Sequence, residues 1–134
     1  MNEQRDILSY IPQRPPFVFI DTIEEVDEKG ARTRYTISDA CPLLMDGILP
    51  LSGLMENAAQ TCATMGEGTV MYIGEVKQME VTRFPKVGET VCTDARVMQE
   101  WLNILLVEST AQVNDETIAT ATLKIATIGN NAAR

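Results

Sequence analysis

Residues 51–66 read LSGLMENAAQTCATMG, and this stretch decides the fold. Its apolar side chains recur at helical spacing, which predicts one helix from Leu51 to about Gly66. The apolar stripe consists of Leu51, Leu54, Met55, Ala58, Cys62 and Met65. A polar stripe repeats every four residues at Ser52, Glu56, Gln60 and Thr64. Small residues dominate the stretch, so we expect a central helix that lies close against a flat partner such as a sheet.

The sequence on both sides of this helix has β character. Residues 17–23, FVFIDTI, are almost all apolar and predict a buried strand. Residues 31–38 alternate, which places Thr33, Tyr35 and Ile37 on one face. After the helix we expect strands at residues 70–79, 81–84, 90–99, 102–112 and 117–128, the last two joined by a hairpin at Asn114-Asp115. The pattern predicts one α+β domain over residues 1–134, with a curved antiparallel sheet wrapped around one long central helix.

The chain of 134 residues contains no histidine and has a formal net charge of −8. The absence of histidine excludes Ser-His-Asp and Cys-His catalysis and every histidine–metal site. Any general base must then be a carboxylate, a perturbed Lys, Cys or Tyr, or a water molecule. The negative charge argues against a nucleic-acid surface.

Cysteine spacing and terminal composition narrow the class of protein further. Cys41, Cys62 and Cys92 do not form a C-x-x-C motif, so we expect reduced thiols, no metal and no cofactor. No apolar run approaches the ~18 residues of a membrane span. The first residues lack the basic and apolar regions of an export signal, which favours a cytoplasmic protein.

Three stretches, in order along most of the chain, resemble one enzyme family. Residues 11–21, IPQRPPFVFID, are similar to an opening L-P-H-R-x-P-F-L-L-V-D. Residues 50–60 are similar to P-G-V-x-x-x-E-A-x-A-Q, and residues 72–88 to a region ending F-R-R-P-V-x-P-G-D. These motifs belong to the hotdog-fold 3-hydroxyacyl-(acyl carrier protein) dehydratases of fatty-acid synthesis. A divergent branch, the dehydratase-like subunits of aryl-polyene-type pigment pathways, is more similar still.

The resemblance implies a set of site residues. It places the family's catalytic acid at Glu56, and it places Gln13 and Pro42 where the family has histidine. The backbone N–H that the family offers to a thioester carbonyl falls at Leu51. The substrate-binding residues that the resemblance implies are Gln13, Gln60, Leu51, Ser52 and Phe17.

The missing histidine leaves three functions open. Dehydration of a 3-hydroxyacyl thioester needs a base for the C2 proton and an acid for the departing hydroxyl, and each is worth typically ~10²–10⁴ in rate. The chain could therefore pair with a catalytically complete hotdog partner. It could instead be a thioesterase that uses Glu56, Gln60 and the helix N-terminus, or a non-catalytic binder of acyl thioesters. Glu56 could also be an ordinary solvated helix residue with Gln60 as its partner.

The family also implies partners. The expected ligand is a thioester of acyl carrier protein or of coenzyme A. Carrier proteins are acidic, so docking needs a local basic patch, for which the candidates are Arg14, Lys77, Arg83 and Lys86. These four could equally be ordinary solvated charges. A lone hotdog leaves a sheet edge exposed, so we expect a homodimer or a heterodimer with a dehydratase-like partner.

Overall fold

A computed structural model describes residues 6–66 and 71–127, with the side chains of residues 71 and 72 left aside. After a single 3-10 turn at Ile7–Ser9 the elements are β1 (Thr22–Val26), β2 (Gly30–Thr36), α1 (Leu51–Thr64), β3 (Met71–Val81), β4 (Thr90–Trp101), β5 (Ile104–Val113) and β6 (Glu116–Thr127). The strands form one sheet in the order β1-β2-β4-β5-β6-β3, and every pairing is antiparallel. No helix within the described ranges is long and apolar enough to cross a membrane.

The helix lies across the middle of this sheet, against β2, β4 and β5. Small side chains make the approach possible, as the sequence predicts. At Gly53 an added Cβ would lie 2.3 Å from Cδ1 of Leu49, a residue that is fully buried. The expected α+β hotdog arrangement, one central helix on an antiparallel sheet, is confirmed.

The strand pattern of the sequence is confirmed at two informative places. Thr33, Tyr35 and Ile37 are all buried on the helix-facing side, as their alternation predicts. Asn114 and Asp115 form the β5–β6 turn with φ of 51° and 67°. Both positive values fit the tight hairpin expected of this pair of residue types.

The strand predicted at residues 17–23 is wrong over its first five residues, because β1 begins only at Thr22. Phe19 and Ile20 are buried, as an apolar stretch requires, but they pair with no strand. Their segment instead bonds to amide side chains of α1, which take the place of a neighbouring strand.

Other predicted boundaries need smaller corrections. The separate strand at residues 81–84 does not form, because β3 runs unbroken to Val81 and a loop follows. Leu102 does not begin β5; it lies in the β4–β5 turn with φ of 55° and is 89% exposed. The helix ends at Thr64. The predicted helix stop at residues 67–68 and the strand ends at residues 70 and 128 lie outside the described residues.

Candidate functional site

A cleft of about 450 Å³ opens beside the first two turns of α1. The helix contributes Ser52, Met55 and Glu56, which share one face because they are three and four residues apart. The segment before β1 and the loop before the helix contribute the remaining side chains, Phe17, Phe19 and Leu43. The cleft is therefore mostly apolar, with one carboxylate and one hydroxyl, and it suits an apolar chain that carries a polar group at one end.

Glu56 lies on this cleft with its side chain exposed. Gln60 donates its amide to the carboxylate over 3.4 Å, one helical turn away. No Lys or Arg of the described residues forms an ion pair with Glu56. In the described part of the chain, no second titratable side chain lines the cleft with this carboxylate.

Gln60 does not line the cleft, which corrects its predicted role as a substrate contact. It is fully buried, and its oxygen accepts a hydrogen bond from the Phe19 N–H over 2.7 Å. Its nitrogen donates to the Phe17 carbonyl over 3.0 Å. The physical reason is that the segment at residues 17–20 has no strand partner and takes its hydrogen bonds from the helix.

The first residues of α1 offer backbone donors. Pro50 precedes the helix without a side-chain cap, and its carbonyl accepts from the N–H groups of Gly53 and Leu54 at 2.9 and 3.1 Å. Within the described part of the chain, the N–H groups of Leu51 and Ser52 have no hydrogen-bond partner. Such unpaired donors at the positive end of a helix can stabilise a developing oxyanion. The Leu51 side chain is 45% exposed and does not line the cleft.

The opening motif contributes two cleft residues, Phe17 and the buried Phe19. Phe17 lines the cleft and is 53% exposed. Gln13 is half-buried and lies off the cleft lining, and its Oε1 has no hydrogen-bond partner within the described ranges. Arg14 turns back on its own loop, since it donates to the carbonyls of Ile11 and Gln13 at 2.8 Å each.

The other candidate docking residues lie on β3 and in the loop that follows it. Arg83 contacts both carboxylate oxygens of Glu89 at 3.0 and 3.2 Å and Glu116 at 3.5 Å, so its charge is largely neutralised within the chain. The same guanidinium holds the pKa of Glu89 below its usual value. Lys86 joins this cluster through its backbone N–H to Glu89, at 3.0 Å. Lys77 is exposed on β3. Carrier docking by these residues stays a prediction.

The buried titratable groups lie in the core. Burial, with a hydrogen bond to Cys41, raises the pKa of Tyr35. Burial alone raises the pKa of Cys62 to about 12, so this thiol stays protonated. Among residues 6–66 and 71–127, no three Cys, Asp or Glu side chains come together in a way that could hold a metal.

Sequence reasoning missed several residues of the site. Phe19, Leu43 and Met55 line the cleft, and Asn57 lies fully buried behind it. Of these residues, only Asn57 could be recognised from the sequence as a buried polar group, because its amide lies beside the apolar positions Leu54 and Ala58. Phe19, Leu43 and Met55 are apolar, so nothing in the sequence distinguishes them from residues that pack in the core.

One central helix packed on a six-stranded antiparallel sheet defines a protein of the hotdog fold, and a carboxylate lies in its apolar cleft. A family model described as ApeP dehydratase, ApeP-like, matches residues 5–133. The chain therefore belongs to the ApeP-like dehydratase family.

Individual relatives agree with this assignment. The 3-hydroxyacyl-[acyl-carrier-protein] dehydratase FabZ of Thermotoga petrophila is 25% identical over 126 residues, covering 87% of this chain and 91% of the relative. The dehydratase heterocomplex ApeI:P of Xenorhabdus doucetiae contains a chain of the same fold, with a TM-score of 0.85, 15% identity and coverage of 96% and 94%. A hypothetical thioesterase of Streptococcus pneumoniae with coenzyme A shares the fold at a TM-score of 0.70 and 9% identity, covering 82% and 87%.

Proposed function

We propose that this chain is one subunit of a two-chain hotdog dehydratase that acts on 3-hydroxyacyl thioesters in the cytoplasm. One observation carries the proposal: Glu56 lies in an apolar cleft that holds no second titratable side chain. Dehydration needs a base as well as an acid, and the histidine positions of the resemblance hold Gln13 and Pro42. In this proposal a second hotdog chain supplies the base.

Each group has a defined part in the proposed reaction. A base of the partner takes the C2 proton while the Glu56 carboxyl protonates the C3 hydroxyl, which leaves as water and gives an enoyl thioester. The N–H groups of Leu51 and Ser52 are placed to stabilise negative charge on the thioester oxygen. The apolar residues of the cleft bind the acyl chain.

The surface around the cleft supports a partner there. Phe17, Leu51 and Met55 are 53%, 45% and 37% exposed, and a second chain would cover them. The ApeI:P heterocomplex provides a precedent for two chains in one dehydratase. The thioester carrier in this proposal is acyl carrier protein or coenzyme A, and the latter is present in the Streptococcus pneumoniae structure.

The test compares the chain alone with mixed complexes. Each would be assayed for dehydration of 3-hydroxyacyl thioesters with wild type, Glu56→Gln and the control Glu108→Gln, an exposed carboxylate on β5. We expect dehydration only in a mixed complex, a loss of roughly 10²-fold or more with Glu56→Gln, and no change with Glu108→Gln. Efficient dehydration by the chain alone would refute the need for a partner.

A thioesterase is the second candidate, and the unpaired N–H groups at the helix start favour it. They belong to the first turn of the helix, about one turn before Glu56, and an oxyanion site near a carboxylate is what hydrolysis of a thioester needs. Hydrolysis of the thioester by the chain alone, abolished by Glu56→Gln, would establish this activity instead. Ligand binding without either reaction would indicate an acyl-thioester-binding subunit.

A further inference from the structure

Two buried amides of α1 bind one short segment of the chain. Asn57 and Gln60 are 1% and 0% exposed. The Phe19 N–H donates to Gln60 Oε1 at 2.7 Å, and the Phe19 carbonyl accepts from Asn57 Nδ2 at 2.7 Å. Gln60 Nε2 also donates to the Phe17 carbonyl at 3.0 Å. Both polar backbone groups of Phe19 are therefore bonded to the helix, as they would be to a neighbouring strand.

The orientation of each amide is fixed by its partners. The Phe19 N–H can only donate and the two carbonyls can only accept, so neither amide can be reversed. The Thr93 hydroxyl of β4 donates to Asn57 Oδ1 at 2.5 Å. A continuous chain of hydrogen bonds thus runs from the sheet through Asn57 to the Phe19 carbonyl.

The held segment forms one side of the cleft. The Phe17 and Phe19 side chains both line it. The Phe19 ring also meets the Tyr35 ring edge to face, at 5.8 Å and 81°, so it is fixed from the core side as well. The amide nitrogen of Gln60 that bonds Phe17 also reaches the Glu56 carboxylate at 3.4 Å.

We propose that Asn57 and Gln60 are positioning residues, which fix Phe17 and Phe19 relative to Glu56 and so set where the acyl chain lies. The proposal rests on the proposed function for its ligand. The Asn57 side chain bonds the Phe19 carbonyl and Thr93, so loosening the segment there would weaken the placement of the substrate while leaving the contact between Gln60 and Glu56 in place. We therefore expect substitutions here to raise KM more than they lower kcat.

The first measurement needs no variant and no turnover. Amide hydrogen exchange in the full chain should show the Phe19 N–H as protected as the amides of β4 and β5. Exchange as fast as that of the exposed Asp115 turn would overturn the positioning role. This measurement stands even if the chain proves to be no dehydratase, so the two proposals can fail separately.

The second measurement uses near-isosteric variants in the active mixed complex. Asn57→Leu and Gln60→Met each remove the bonds to the segment, and Thr64→Val is the control. Thr64 is equally buried on the same helix but bonds only to the Thr61 carbonyl, at 2.7 Å. With Asn57→Leu and Gln60→Met we expect faster exchange at the Phe19 N–H. We also expect the KM for a 3-hydroxyoctanoyl thioester to rise about tenfold. Thr64→Val should change neither quantity. Folded variants with an unchanged KM would refute the proposal.

Discussion

At the scale of single residues, Gly53 shows how tightly α1 is seated. Alanine is favoured over glycine inside a helix by ~1 kcal/mol, so Gly53→Ala would ordinarily stabilise. Here the new Cβ would lie 2.3 and 2.5 Å from Cδ1 and Cγ of Leu49, which is fully buried. Overpacking of this kind costs ~1–3 kcal/mol, so we expect a net loss of about 1 kcal/mol in urea unfolding.

The source of that loss can be isolated by a double-mutant cycle. In a Leu49→Ala background the clash is absent, so Gly53→Ala should become neutral or stabilising. A penalty that persists in this background would show that the helix geometry, and not Leu49, excludes a side chain at position 53.

The thiols give a second prediction at the same scale. Cys41 and Cys62 are buried, and Cys92 is partly exposed on β4. Because burial raises the pKa of Cys62 to about 12, it should not react with a thiol reagent in the folded chain. In the folded chain we expect one thiol, that of Cys92, to react slowly with the reagent, and Cys92→Ser should remove this reaction. In denaturant all three thiols should react. Fast labelling of native Cys62 would contradict the packing described.

Sequence alone singles out Glu56, which lines the cleft, but it does not predict how the neighbouring Gln60 is held. The resemblance picks out the carboxylate and the two missing histidines because these are identities in a motif. The resemblance cannot show that Gln60 is buried with its amide fully hydrogen-bonded. The partners of this amide, the backbone groups of Phe17 and Phe19, are 43 and 41 residues away in the sequence.

At the scale of elements, the same lesson explains the misplaced first strand. Residues 17–20 have the composition of a buried strand, and Phe19 and Ile20 are buried while Phe17 is exposed on the cleft. Whether they join a sheet depends on what lies beside them, and here that is the amide-bearing face of α1. Local propensity predicts burial at this segment but cannot specify the partner.

The loop between β3 and β4 gives a prediction with a defined pH dependence. Arg83 lowers the pKa of Glu89, so their interaction stabilises the fold at neutral pH and is lost as the pH falls through the lowered pKa. Arg83→Gln should therefore lower the urea midpoint at neutral pH, and the difference from wild type should vanish in acid.

The outcome also bears on carrier docking. If Arg83 only stabilises this loop, Arg83→Gln should leave the binding of an acidic carrier protein unchanged. Lys86→Gln removes an exposed charge from the same loop and tests whether that charge takes part in docking. An equal stability difference at every pH would mean that Arg83 acts through something other than Glu89.

At the scale of the whole molecule, two features agree with the proposal of a partner chain. Among the described strands β3 lies at an edge of the sheet and pairs with β6 alone, so its other side is open to a further strand. The apolar residues beside the cleft are exposed as well. Composition could not predict this surface, because Phe17, Leu51 and Met55 look like core residues in the sequence.

A charge placed at the cleft should separate association from folding. Met55 is 37% exposed in the cleft, and Met98 is 57% exposed on β4, outside it. Burying an unpaired lysine at an interface is costly, so Met55→Lys should abolish the complex with a hotdog partner in light scattering after gel filtration. Met98→Lys should leave the mass of that complex unchanged, and both variants should unfold near the wild-type midpoint. If Met98→Lys alone disrupted assembly, the partner would have to bind away from the cleft, and Glu56 could not share a site with it.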